Sequence, residues 1–555
     1  VVFKNSFMSL ALLPMSLLSS SALAATTLYI NADIYSHADA QAIVIEEGKF
    51  KAFVSNADAL TYKTENSEVI DLGGAFVLPG FIDNHNHVFE ARGDIGSECI
   101  LNPGGTLKDH VDELVACRDE VSDHEWVIGY GFSINALLDA MGRVSPLEVL
   151  DKVFPHQPAV IMEETSHSVW ANSLALRAGG VTSDMPVPVG GRLLYMDNGE
   201  FSGILLDNAG DELLELAWNS SSDKFNRSYN GLMMGLEDVA ANGITTIGDG
   251  RMYWRRGWFD VWQAAEKNGD LTARVALRPW IYPDLPMNEQ LRFLTTAYSA
   301  DPDRLLRVDQ VKMYSDGIII NSTAKLLAPY METYLEDDLY GINYISQAAM
   351  ETWLKALMPL GYGAHIHAIG DGAVRESLTA ISAARRAGSE LDYTLTHVEL
   401  VNKLDVPRFA QLGVSADFQV SPHYVTDRNH EWAELLIGAR RARTMVNLHE
   451  MFKVGTNVTL SSDWNVLELN PLLGIAASVE LKTKGLPNID EAIKAYTINA
   501  AKSLGIDEIT GSLTVGKFAD MVVLSDDITK LPLKQVPETE VLMTVLAGEI
   551  VFDAQ

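Results

Sequence analysis

His85 and His87 close the segment Pro79-Gly80-Phe81-Ile82-Asp83-Asn84-His85-Asn86-His87, one residue apart. Alternation along an extended strand puts both imidazoles on one side, where they can meet a single ion. His365 and His367 end a second apolar run, His397 ends the next, and Asp463 follows Val458-Thr459-Leu460-Ser461-Ser462. Taken singly, His397 reads equally well as a satisfied core histidine, and Asp463 as a helix cap. Taken together, strand ends that offer imidazole nitrogen and carboxylate oxygen suit zinc better than iron, manganese or nickel. Lys312 lies inside Arg307-Val308-Asp309-Gln310-Val311-Lys312-Met313-Tyr314-Ser315-Asp316-Gly317. A lysine in a strand interior must reach a carboxylate such as Asp316 or lose its charge, because a bare ammonium is costly to bury. An uncharged Lys312 can also take up carbon dioxide as a carbamate that bridges two cations.

Such side chains need elements that bring their ends together. The middle of the chain alternates short apolar strands, predicted at 243–248, 305–316, 363–367, 393–397 and 458–463, with amphipathic helices. Repeated βα units predict a closed barrel or an open parallel sheet, and both build sites at the carboxyl ends of their strands. Thr27 to Tyr35, Ala40 to Ile45 and Lys51 to Val54 read as short strands, with Glu46-Glu47-Gly48-Lys49 as a turn. Ala519 to Leu524, Val541 to Ala547 and Glu549 to Phe552 have the same character. The two ends are therefore expected to share a small sheet domain, 25–80 plus 515–555, with 81–514 as an inserted body. Residues at about 90–160 are polar, hold both cysteines and show few strand signals, so they read as an excursion or cap after an early strand.

With 555 residues, 47% hydrophobic and 21% charged, the chain exceeds a small disulfide module and has apolar content enough for a core. Lys plus Arg total 42 against 74 Asp plus Glu, a formal charge of −32. That field repels phosphates and anionic lipid, so the expected partner is a small-molecule substrate and not nucleic acid. The acidity fits a surface adapted to salty surroundings better than a preference for cationic substrates. Lys4, the apolar run from Phe7 to Leu18 and Ser19-Ser20-Ser21-Ala22-Leu23-Ala24 read as a secretory signal peptide over 1–24. An exported, periplasmic protein without a membrane anchor is expected. Cys99 and Cys117 can form one bridge in that compartment, or be two buried small residues. Gly370-Asp371-Gly372 lacks the glycine pattern of a dinucleotide site and reads as a turn into a helix. No G-x-S-x-G elbow supports a serine nucleophile.

The same segments resemble the amidohydrolase superfamily and, within it, the large YtcJ-like metal-dependent hydrolases, a group that includes N-substituted formamide deformylase. The likeness runs in order from Pro79–His87 through Val311-Lys312-Met313-Tyr314-Ser315-Asp316-Gly317 and His367-Ala368-Ile369-Gly370-Asp371-Gly372-Ala373. It continues through Thr396-His397-Val398-Glu399 and Ser462-Asp463-Trp464 to Gly511-Ser512-Leu513-Thr514-Val515-Gly516-Lys517-Phe518-Ala519-Asp520. The resemblance implies an α/β fold: a distorted (β/α)8 TIM barrel beside a small β-sandwich formed from both termini. It further implies that His85 and His87 hold the more buried metal with Asp463, that His367 and His397 hold the second, and that carbamylated Lys312 bridges them. His365 is held in reserve as a group behind the ligands or against the substrate. Glu164-Thr165-Ser166-His167-Ser168-Val169-Trp170-Ala171-Asn172-Ser173 resembles a family segment, which implies that His167 orients or polarises the substrate carbonyl. Tyr314, Trp464, Trp170 and His423 are candidates for the pocket lining. Trp464-Asn465 stands where the family more often has a small residue and a proline, so an unusual substrate shape is expected. The resemblance is also compatible with a homodimer.

The implied chemistry is hydrolysis of a C–N bond in an N-acyl, N-formyl or cyclic amide, with one or two zinc ions. Coordination lowers the pKa of water so that hydroxide exists near neutral pH, and Asp463 would accept the proton and deliver it to the leaving nitrogen. The same centre can serve an ester, lactone or phosphoester, because one fold hosts many reactions. An exported binding protein that has lost catalysis is the remaining class.

Overall fold

The structure is a computed structural model that describes residues 26–92, 99–118, 126–335 and 337–554. The leader read at 1–24 lies outside the described residues.

A mixed α/β fold is organised around eight parallel strands. They are β1 (Phe81–Asn86), β2 (Ile244–Asp249), β3 (Arg274–Ala276), β4 (Gln310–Tyr314), β5 (Gly363–Ala368), β6 (Tyr393–His397), β7 (Val414–Gln419) and β8 (Val458–Ser461). β1, β2 and β3 pair in that order, with the short strand Leu306–Arg307 beyond β3. β4 to β8 pair in chain order in a second sheet. Single parallel bridges link the two sheets at both edges: Trp280 with Lys312, and Asn86 with Trp464. At the second junction Asp463 N donates to His85 O at 2.8 Å and His87 N to Trp464 O at 2.6 Å. Helices separate the strands, among them Lys224–Ala241, Trp258–Asn268, Met287–Ala297, Gln347–Leu357, Asp371–Arg386 and Val406–Leu412.

Strands covered on both faces must be apolar or must satisfy their polar groups internally. Every residue of β1, β2, β4, β5, β7 and β8 is buried. Several of their polar side chains accordingly bond to one another. Asp417 accepts from Thr459 Oγ1 at 2.6 Å, Thr396 Oγ1 and Ser461 Oγ at 2.8 Å, and Gln419 Nε2 at 2.9 Å. The buried Arg278 guanidinium donates to the Asn84 carbonyl at 2.6 Å, to Asn84 Oδ1 at 2.8 Å and to Gln310 Oε1 at 3.0 Å. These bonds tie β1 to β4 across the interior.

Between β1 and β2 lies a six-stranded sheet made of Cys99–Ile100, Val127–Phe132, Ala159–Glu163, Ser168–Ala171, Gly191–Tyr195 and Phe201–Asp207. The polar stretch read as poor in strands supplies the first two of these and the start of the third, and the sheet continues to Asp207. Apolar residues such as Val127, Phe132, Ile161 and Trp170 bury against helices Leu107–Arg118 and Pro146–Val153, whose other faces take the polar side chains. Cys99 and Cys117 are joined in a disulfide, their Cα atoms 5.5 Å apart.

Both ends of the chain meet. Thr26–Ile30, Ala42–Glu46, Lys49–Val54 and Glu68–Asp71 form one sheet, and Asp33–Ile34 and Phe76–Pro79 join Met521–Leu524, Val541–Leu546 and Glu549–Asp553 in another. Tyr29, Ile43 and Phe50 share one apolar cluster with Met521, Val523 and Val545. The turn between the second and third strands uses left-handed Glu47 and Gly48, and a Cβ at Gly48 would stand 2.6 Å from the Ala547 carbonyl oxygen. Asp520 fastens this region to β3, accepting from Arg274 Nε at 2.7 Å, Thr510 Oγ1 at 2.6 Å and Ala547 N at 2.8 Å. Among the described residues no helix is long and apolar enough to cross a membrane.

Asp520→Ala would leave Arg274 as a buried charge without a partner. It is expected to lower the unfolding free energy by about 3–5 kcal/mol, seen as an earlier midpoint in urea. Lys51→Ala, which breaks an exposed pair with Glu46, should leave that midpoint within error.

Candidate metal centre and active site

At the carboxyl ends of β1 and β8, the Nε2 atoms of His85 and His87 lie 3.1 Å apart, and Asp463 Oδ1 sits 3.2 and 3.0 Å from them. Ligand atoms at about 2.0–2.1 Å around a tetrahedral ion stand roughly 3.3 Å from one another. The triangle therefore matches one face of such a site. Burial pushes the His85 ring well below the ordinary imidazole value, with Lys312 adding to it. Burial does the same to His365 and His367 and takes His397 down to about 3. Neutral rings keep the lone pairs that an ion needs. Burial works against the Asp463 carboxylate, yet its interaction with His85 and hydrogen bonds from His85 and His87 hold it well below the usual range.

Groups behind the ligands fix their orientation. Glu90 Oε2 lies 3.3 Å from His87 Nδ1, and Arg251 Nε lies 3.1 Å from Glu90 Oε1. Burial opposes the Glu90 charge, but His87 and Arg251 outweigh it and bring the carboxyl down to about 2. A carboxylate there holds a proton on Nδ1 and leaves Nε2 for an ion. His365 Nε2 sits 2.7 Å from His85 Nδ1, the position of a group behind a ligand. With Asp417, His85 and His365 form a second compact set of donor atoms.

His367 supplies a further donor. Its Nε2 lies 3.1 Å from the Gly317 carbonyl oxygen, which only accepts, so Nε2 carries the hydrogen and the buried, unpartnered Nδ1 keeps its lone pair. The His367 and His397 ring centroids are 4.5 Å apart. Lys312 Nζ is 3.4 Å from both ring nitrogens of His85, and burial pushes its ammonium well below the ordinary lysine value. Asp316 is not its partner: that carboxylate accepts the backbone N–H groups of Lys325, Gly370 and Ile369 at 2.8, 2.9 and 3.1 Å. Left-handed backbone at His397 (φ 72°), Val398 (φ 47°) and Asp463 (φ 54°) concentrates strain at these strand ends, and for a β-branched valine it is unfavourable. Imidazoles, an amine whose charge burial disfavours and one carboxylate are a donor set that fits a divalent cation of intermediate softness.

His167 arrives from the excursion sheet. Its Nδ1 bonds Asp207 Oδ1 at 2.7 Å, and Asp207 N donates to the His167 carbonyl at 2.7 Å. The His167 ring centroid is 5.3 Å from His367 and 5.6 Å from Tyr314. Tyr314 stacks on His367 at 4.1 Å, and its hydroxyl accepts from Arg251 Nη1 at 3.1 Å. Trp464 gives its carbonyl to His87, and its half-buried ring lies 6.0 Å from the Arg92 guanidinium. His423 is exposed on the helix Pro422–Thr426. Trp170 is a core residue of the excursion, donating to the Pro146 carbonyl at 2.9 Å, and does not line the site.

Glu90, Arg251, Asp207 and Asp417 escape the sequence reading. Only Glu90 had a local signal, three residues beyond His87 at the start of the helix Val88–Arg92.

Similarity to known proteins extends over most of the chain. The profile of the amidohydrolase family matches residues 68–552. The chain is 25% identical over 529 residues to the putative amidohydrolase YtcJ of Bacillus subtilis (strain 168), covering 92% of this chain and 96% of that relative. It is 25% identical over 532 residues to N-substituted formamide deformylase of Arthrobacter pascens, covering 93% and 95%. Its fold is similar to that of an uncharacterized metal-dependent hydrolase from Pyrococcus furiosus, with a TM-score of 0.69 at 22% identity over 91% of this chain and 100% of that one.

Glu90→Gln is expected to weaken divalent-metal binding by about 10–100-fold, measured by competition with a chromophoric chelator; unchanged affinity would remove Glu90 from the centre. In the metal-free protein the carboxyl titrates near 2 in place of 4.5. Its contribution to stability is then fully present above pH 4.5 and lost as the pH falls toward 2, so the variant should flatten that limb of the acid unfolding curve.

Proposed function

The chain belongs to the amidohydrolase family, and from that premise we propose that it is a metal-dependent hydrolase of C–N bonds other than ordinary peptide bonds. The substrates in this reading are N-acyl, N-formyl or cyclic amides. The observation that carries it is the His85–His87–Asp463 triangle, whose carboxylate is 14% exposed and so open to a reacting molecule. A divalent ion held there, zinc in this proposal, would lower the pKa of water and polarise a carbonyl. Asp463 takes the proton from the attacking water and returns it to the leaving nitrogen. Asp207 holds His167 through Nδ1 and so orients the ring beside the cluster, where it positions the substrate carbonyl.

Lys312, 3.4 Å from His85 in surroundings that disfavour its charge, supports a carbamate that would serve a two-ion centre with His367 and His397. Parallel order from β1 to β8, with bridges at both junctions, supports a distorted (β/α)8 barrel. The cluster shared by Tyr29, Phe50 and Val523 supports a β-sandwich over 25–80 and 515–555. The leader pattern and the Cys99–Cys117 disulfide support an exported, periplasmic protein.

Asp463→Asn is expected to lower kcat by about 10²–10⁴-fold with a smaller effect on substrate binding. Near-normal turnover would remove it as the proton carrier. Elemental mass spectrometry on protein purified without added metal should find close to two equivalents of zinc, falling sharply in Lys312→Ala. One equivalent unchanged by that substitution would take Lys312 out of the centre.

A further inference from the structure

Val398 and Glu399, which directly follow His397, line a cavity of about 560 Å³. That volume suits a small organic molecule. Leu327 after β4, Asp371 at the start of the helix after β5 and Arg440 between β7 and β8 line it too. It therefore opens at the same end of the parallel strands as the metal donors. Its walls are apolar in part, through Val398, Leu400 and Met451, and charged in part.

Two cations on that wall stand apart. Arg440 and Lys403 are exposed and, among the described residues, take part in no ion pair or hydrogen bond. Arg441 differs, because its guanidinium donates to the Ala328 and Pro329 carbonyls at 2.8 Å and so builds the wall. The Glu399 side chain accepts no hydrogen bond among the described residues, and Glu450 lies on the same lining. A phosphate dianion would be repelled by the Glu450 carboxylate on the same lining. A monoanion placed against the cations, with a neutral N–H turned to Glu399, matches the charges present.

We propose that this cavity is the subsite for the leaving half of the substrate and selects amides that carry a carboxylate there, with Arg440 and Lys403 receiving the carboxylate and Glu399 the amide N–H. The inference rests on the hydrolase reading above. It is tested on the metal-loaded full chain with two matched pairs: racemic N-acetylphenylalanine against N-acetyl-2-phenylethylamine, and racemic O-acetyl-phenyllactate against 2-phenylethyl acetate. The carboxylate-bearing member of a pair should have a kcat/KM at least about tenfold higher, expressed in KM, and the ratio should collapse toward one in Arg440→Gln/Lys403→Gln. A wild-type ratio near one, or a ratio the double variant leaves intact, overturns the subsite. Discrimination within the esters while neither amide is cleaved sinks the amide reading and keeps the subsite. Calorimetric titration of N-acetylphenylalanine into Asp463→Asn protein decides the matter without turnover: binding weakened about tenfold or more by the two cation substitutions supports the subsite, and no binding, or binding they do not change, refutes it.

Discussion

Four histidine rings, one amine and one carboxylate are gathered at the carboxyl ends of β1, β4, β5, β6 and β8 with few partners besides each other. His85, His367 and Lys312 are buried there and driven toward their uncharged forms. A set of lone pairs this dense is unfavourable in a low-dielectric interior unless a cation satisfies it. That need explains why the groups around the cluster are arranged to keep nitrogen atoms free. Gly317 takes the Nε2 hydrogen of His367, and Glu90 faces Nδ1 of His87.

The surroundings are built to hold this arrangement still. Interior polar groups around the cluster bond to one another: Asp417 accepts from hydroxyl and amide donors, and Arg278 donates to Asn84 and Gln310. Such a saturated network is rigid, since moving one member leaves several groups unpaired. The strained backbone at His397, Val398 and Asp463 can persist only on such a frame. The excursion sheet adds a second rigid body that carries His167 to within 5.3 Å of His367, ring to ring.

Much of the framework was legible in the residues. The apolar runs that became β1, β2, β4, β5, β6 and β8 stand out because they are short, β-branched and punctuated by glycine or a polar strand end. β7 was not recognised, because Ser415, Asp417 and Gln419 alternate with apolar residues and suggest a half-exposed strand. All three are in fact buried and bond across the interior. β3 has three residues, one of them the buried Arg274, too few to show a period. The excursion was read as polar and poor in strands because its short strands are interleaved with amphipathic helices, and only their pairing across distant segments makes a sheet.

Sequence by itself determined which residues could bind a metal. The alternation of a strand places His85 beside His87, and the apolar run before Asp463 places that carboxylate at a strand end. Local periodicity and residue chemistry are enough for that. Which groups turn those residues into a centre was decided by tertiary structure alone. Asp207 lies 40 residues from His167, and Asp417 and Arg251 are far from the ligands they support. Their contacts depend on strand register and on the crossing of separate elements, and no local pattern in the chain encodes either.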